Sequence, residues 1–362
     1  MKKSAAFLAA FGLFSANSLH AADLMAEVKN DLAKYAGPQN IWHGPTTSPK
    51  PVPGKKLAYV ACSESSDYCH GLGVAMSQAA KELGWQLTVI DGKGTPVGWI
   101  SAFNQAIALK VDGIITTADG QSIKEPLAEA GRRNIPVVGI HTAPMPGPNK
   151  ELGLFTSIQQ DPNEIGKAQA DWIIADSNGK ANVVIATHDE YAIAELKMRA
   201  LQKRLKDCEG CKVLDYVNSP HSEAPQRQPQ MVMSWVQKYG TPLYVVAAAD
   251  YTLDFQVPPL RASGIDSGSV KLIGSDGQIS AYERIRAGQF QVVTVAEPVE
   301  MEGYLAIDEM NRALNKAEPS MFVVPPYLVT KENIDREGGE KNTFNPSNDY
   351  RGQFLKMWGV TP

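Results

Sequence analysis

The sequence predicts an α/β protein of two doubly wound lobes, each with a parallel sheet covered by helices on both faces. Three observations carry this. Short, continuously apolar runs such as "KLAYVAC", "DGIITTA" and "LYVVAAAD" alternate with segments of helical apolar spacing, the pattern of parallel strands buried on both sides. The alternation stops near residue 160 and restarts, giving two units of similar size. A chain of 362 residues also exceeds one ordinary domain.

Along the chain, Lys2 and Lys3 precede the apolar run "AAFLAAFGLF" and the small-residue stretch "SANSLHAAD", the layout of a secretory signal peptide over residues 1–21 with cleavage after Ala21. The run is too short for a membrane span, which needs about 20 apolar residues. Residues 22–54 form an N-terminal extension: an amphipathic helix, "LMAEVKNDLAKYA", then the connector "GPTTSPKPVPGKK" with four prolines and two glycines. The first unit then runs strand "KLAYVAC", helix "GVAMSQAAKELGW", strand "QLTVIDG", helix "PVGWISAFNQAIALKV", strand "DGIITTA", helix "SIKEPLAEAGRRN" and strand "IPVVGIH". In the second unit the helices are "NEIGKAQADWIIADS", "AIAELKMRALQKRLKD", "QPQMVMSWVQKYG" and "ISAYERIRAG". Its strands are "KANVVIATH", "CKVLDYV", "LYVVAAAD", "VKLIGSD" and "QVVTVAE". Sheets of this kind bind ligands beyond the carboxyl ends of their strands, so the polar residues there are the candidates for function.

Composition narrows the field. Hydrophobic content of 43% and charged content of 20% suit a folded globular chain, and a net charge of −4 predicts no affinity for nucleic acid or an anionic membrane. No phosphate loop, nucleophile elbow or metal-ligand spacing of histidines is present, so neither a metal nor a cofactor is expected. For an exported chain the four cysteines read as disulfides, and proximity favours Cys62–Cys69 and Cys208–Cys211. The spacing of "CEGC" raises a thiol-redox alternative. However, the pair closes a helix, whereas a helix start is where the dipole lowers a thiol pKa.

Three segments, "KLAYVACSESSDYCHGLGVAMSQAAKELGW", "VDGIITTADGQSIKEPLAEAGRRNIPVVGIH" and "VKLIGSDGQISAYERIRAGQFQVVTVAEP", together with the late "PPYLVTKENID", resemble the ribose-type, type I periplasmic binding proteins of ABC importers. The resemblance spans about Lys55 to Asp335. It implies two Rossmann-like lobes joined by a three-strand hinge, with 55–158 plus 298–322 in lobe 1, 159–297 plus 323–345 in lobe 2, and 346–362 as a tail. It also implies a non-enzymatic monomer in the periplasm that closes around one small ligand and passes it to an ABC permease. A sensor reporting to a membrane receptor or histidine kinase is the alternative.

On that pattern Asp276 in "GSDG" is the carboxylate that accepts from the ligand, and Tyr68 the ring that stacks on it. Glu297 stands where relatives have glutamine, and His141-Thr142 where sugar binders have Asp-Arg, so the two-donor guanidinium clamp is missing. Lys197 occupies the place of a ligand-reaching arginine. Ser66, Asp67, His70, Asp119, Asp250 and Glu190 are further candidates on strand-end loops. A lining rich in carboxylates and poor in cations favours a sugar-like, polyol or cationic ligand with many donors.

Overall fold

The computed structural model describes residues 10–360; the charged start of the expected signal peptide lies outside them. Lobe 1 is a six-stranded sheet in the order β2-β1-β3-β4-β6-β5, from β1 (Lys56–Ala61), β2 (Gln86–Asp91), β3 (Gly113–Thr116), β4 (Val137–Ile140), β5 (Gly147–Asn149) and β6 (Leu154–Ile158). Only β5 runs antiparallel to its neighbour. Helices α2 (Asp67–Glu82), α3 (Pro96–Ala108) and α4 (Lys124–Arg132) intervene between the strands.

Lobe 2 repeats the plan with β7 (Asn182–Thr187), β8 (Lys212–Asn218), β9 (Leu243–Ala247), β10 (Val270–Asp276), β11 (Gln291–Ala296) and β12 (Tyr327–Val329), in the order β8-β7-β9-β10-β11-β12. The edge strand β12 is antiparallel. Its helices are α5 (Pro162–Asp176), α6 (Ala192–Leu205), α7 (Ala224–Tyr239), α8 (Asp250–Ala262) and α9 (Ile279–Ala287). The continuous apolar runs become strands whose residues are almost all buried, as parallel sheets require. Helix starts carry their expected chemistry. Thr95 accepts from Gly98 N ahead of Pro96, and Asp161 accepts from Asn163 N ahead of Pro162.

Three crossings join the lobes: β6 to α5, β11 to α10 (Val299–Leu314), and α10 to β12. The buried Gln160 ties them together. It bridges to Val324, and its amide donates to Ala296 O (2.8 Å) and Pro325 O (3.3 Å). Although α10 follows the second lobe in sequence, it packs in lobe 1: Met301, Tyr304, Leu305 and Met310 share a core with Leu57, Tyr59 and Met76. Gly303 permits this, since a Cβ there would come within 2.5 Å of Ala75 Cβ on α2.

Some elements differ from the sequence expectation. The stretch "YTLDFQVPPLRA" is absent from the expected helices, yet it forms α8 with Pro258 and Pro259 near its C-terminal end. Residues at the C-terminus, read as a tail, form α11 (Tyr350–Trp358), and Phe354 and Trp358 are buried against Tyr304.

The N-terminal extension packs on both lobes. Helix α1 (Ala10–Tyr35) buries Leu24, Val28 and Tyr35 in the core of lobe 2 beside Ile165 and Ile173, with Tyr35 Oη donating to Glu164 (2.6 Å) and Glu27 paired with Arg204 (3.1 Å). The connector then crosses to lobe 1. Trp42 packs edge-on against Phe354 (5.3 Å between centroids), Asn311 donates to Pro49 O (2.7 Å), and Trp85 Nε1 donates to Val52 O (2.7 Å).

Candidate functional site

The carboxyl ends of both sheets face each other across a cleft, and the lobes meet at its mouth, where Trp99 on α3 lies 6.0 Å from the Tyr191 ring at the start of α6. Inside, the structure gathers Tyr68, His141, Glu297, Asp276 and Lys197 from both sides.

Tyr68 and Cys69 were expected on a loop. They lie instead in the first turn of α2, which the Cys62–Cys69 disulfide pins to the end of β1. This fixes the Tyr68 ring parallel to His141, 5.2 Å between centroids, so the stacking partner is a protein imidazole. His141, just past β4, sits at φ 56°, and Asp276, the last residue of β10, at φ 95°. Such left-handed backbone at non-glycine positions is strained and concentrates at functional sites. The chain can turn after Asp276 because Gly277 (φ 73°) lies against Ala296, where a Cβ would come within 2.5 Å.

Two linked clusters result. In the first, His141 Nε2 lies 3.0 Å from Glu297 Oε2, and Tyr68 Oη donates to Glu302 Oε2 at 2.9 Å. Glu302, in the first turns of α10, was missed by sequence reasoning. In "EPVEMEGY" it looks like one more acid at a helix start, and only its seat against α2 places it here. Glu297 and Glu302 are 2% and 0% exposed. Burial opposes the Glu297 charge, but His141 and then Lys197 outweigh it and hold this carboxyl below the ordinary range. For Glu302, burial and then the neighbouring Glu297 charge push the carboxyl well above it. Two buried oxygens, Oε1 of Glu297 and Oε1 of Glu302, accept no hydrogen bond.

In the second cluster, Lys197 Nζ donates to Asp276 Oδ1 and to Ser275 Oγ, both at 3.1 Å. Burial works against the ammonium, and Asp276 and Glu297 more than restore it. Asp250 lies beneath, fully buried, accepting from Gly277 N (2.9 Å), Thr294 Oγ1 (2.7 Å) and Gln291 Nε2 (2.7 Å). It supports the Asp276 turn from behind. Thr142 turns inward and donates to Thr116 O (2.9 Å), leaving His141 alone where a clamp was missing from the sequence.

Other candidates lie outside these clusters. His70 is exposed and paired with Glu64 (2.9 Å), and Asp67 is exposed. Ser66 precedes α2 without a side-chain cap bond. Asp119 accepts from Ser122 N and Oγ, both 2.9 Å, closing its own turn. Glu190 is exposed on the loop after β7, within electrostatic reach of the buried His188. Two surface grooves lie elsewhere. One of about 560 Å³ between α8 and α9 includes Asp254 and Arg284, and one of about 570 Å³ lies beside Cys208 and Leu24.

Cys208–Cys211 is the second disulfide, and no free cysteine occurs among the described residues. Nor is any helix of the described residues long and apolar enough to cross a membrane.

Solved structures share this fold. An ABC sugar transporter subunit from Rhodobacter sphaeroides aligns with a TM-score of 0.68 at 20% identity, covering 78% of this chain and 99% of its own. A solute-binding protein from Agrobacterium vitis bound with alpha-D-tagatopyranose gives 0.71 at 14% identity, covering 80% and 99%. One from Bacillus halodurans with bound myo-inositol gives 0.66 at 19%, covering 78% and 97%. No curated protein matches the sequence. The family model described as periplasmic binding protein domain matches residues 57–318, most of the chain and both lobes. The chain therefore belongs to the periplasmic binding protein domain family, and its cleft captures a solute without transforming it.

Proposed function

We propose that the chain captures a small polar solute, sugar-like, polyol or bearing a cationic nitrogen, between its lobes, and hands the closed form to the permease of an ABC importer. The observation that carries this is the set of buried, unpartnered carboxylate oxygens on Glu297 and Glu302, next to Asp276, where the strand ends of both lobes converge. Buried acceptors without donors are costly, and a ligand rich in hydroxyl or ammonium donors removes that cost. The sugars and polyols held by the tagatopyranose and myo-inositol binders are of this kind. Solute contacts to both lobes shift the hinge towards closure. The protein acts as a monomer after cleavage at Ala21.

A thermal-shift panel of sugars, polyols and amines identifies the solute, because a ligand of the folded state raises its melting temperature. Solution scattering with that solute should show compaction, and binding without compaction would overturn hinge capture. Replacing Asp276 by Ala should weaken binding at least tenfold; unchanged affinity removes Asp276 from the site. Adjacent genes for a permease and an ATPase favour import, and a membrane receptor gene without them favours sensing.

A further inference from the structure

We infer that His141, Glu297 and Glu302 bind a divalent transition-metal ion inside the cleft. The inference rests on the reading of this cleft as the capture site and adds a metal to it. One ligand atom from each residue, the imidazole nitrogen and a carboxylate oxygen from either glutamate, lies within 4.8 Å of the other two. At metal–ligand bonds of about 2.1 Å, adjacent ligands are roughly 3.0 Å apart and opposed ones about 4.2 Å. His141 Nε2 and Glu297 Oε2 already stand at 3.0 Å, so the set needs only a small contraction.

The unpartnered oxygens point to a bound cation independently of that spacing. Glu302 Oε1 is fully buried, has no donor, and sits on a residue whose other oxygen is held by Tyr68. Glu297 Oε1 is likewise without a hydrogen bond, on a side chain 1% exposed whose other oxygen faces His141. One imidazole with two carboxylates is a borderline N/O set suited to Zn²⁺, Mn²⁺, Fe²⁺ or Co²⁺. Tyr68 supplies the supporting contacts such sites need, donating to one ligand and stacking on another. Three protein ligands leave coordination positions open for water or for oxygen donors of the solute. Sequence spacing could not disclose the site, because its members come from the end of β4, the β11–α10 crossing and α10.

The test uses the mature protein, stripped with EDTA and dialysed, and titrated calorimetrically with Zn²⁺ and Mn²⁺, with Co²⁺ as the visible-absorption probe. One equivalent is expected to bind. Glu302→Gln and His141→Ala should each weaken it at least tenfold, while Glu151→Gln, at an exposed carboxylate, leaves it unchanged. Failure of all three ions to bind, or affinity in both cluster variants unchanged from the parent protein, would overturn the inference. Should a variant fold poorly by circular dichroism, the Co²⁺ spectrum of the unaltered protein decides: absorption of a histidine–carboxylate site supports the assignment, and a hexaaqua-like spectrum refutes it. The solute panel run on metal-free protein separates the two readings. An organic ligand that compacts the protein without any metal binding leaves capture standing alone. Stoichiometric metal binding lost in Glu302→Gln, with no solute causing compaction, leaves the metal site alone.

Discussion

Replacing Lys197 by Met tests whether this ammonium is the counter-charge that lets Asp276 sit at the cleft. The pair is 3.1 Å apart and the lysine side chain is 5% exposed. At an effective dielectric near 20 the attraction is about 5 kcal/mol, against which stands the desolvation of the ammonium. Removing one partner of a buried pair costs about 3–5 kcal/mol, mostly because the other charge is left unmatched. Asp276 keeps Ser275 Oγ at 3.1 Å and a fifth of its side chain in water, which places the loss at the lower end, about 3 kcal/mol. Urea unfolding of the ligand-free protein measures it. The double variant Lys197→Met/Asp276→Asn should recover at least about 1.5 kcal/mol of that loss, since the Asp276 charge is no longer left unmatched. A single variant within 0.5 kcal/mol of the parent, or strict additivity in the cycle, would refute the reasoning.

Other consequences can be checked in the same way. Opening the Cys62–Cys69 bond with paired Ala substitutions frees a loop with a sequence separation of 7, for a loss of about 2–3 kcal/mol, and should also weaken solute binding as Tyr68 loses its anchor; thermal melts and titration report both. Burial raises the Glu309 carboxyl to about 6, against hydrogen bonds from Ser320, with Asp308 raising it further and Arg312 lowering it. The folded state therefore holds a proton the unfolded chain releases, so this group's stabilisation is full below pH 4.5 and is lost as pH rises to about 6. Glu309→Gln should flatten that segment of the stability–pH curve. Trp42→Ala removes the contact that fastens the extension to lobe 1, with a loss of about 2 kcal/mol for a half-buried ring and a larger, more open ligand-free particle in scattering.

Legibility tracked how local each signal is. The strands of both sheets were readable because a parallel strand is apolar at every position, as "IPVVGI" and "LYVVA" are. The last parallel strand of lobe 1, β6, carries Thr156 and Ser157, and its mixed character hid it. Helix α8, absent from the expected helices, carries two prolines near its end. Tyr68, His141, Lys197, Asp276 and Glu297 were candidates because the family resemblance puts ligand-facing residues at those positions, and the structure gathers them in one cleft. Glu302 was not, since its role is created by packing of α10 on α2 across more than 200 residues of sequence.

The same distance argument explains why the extension matters for mechanism. A hinge of three crossings leaves two lobes free to rotate, and the tie through Gln160 holds only the crossing strands together. The chain before β1 adds a fourth connection: α1 is cemented to lobe 2 by Tyr35 and Glu27, and the connector is fastened to lobe 1 at Trp42, Pro49 and Val52. Only residues 36–41 separate the two sets of anchors, enough for roughly 20 Å when extended. Opening must therefore stretch this short span, turn about it, or peel off the Trp42 contact.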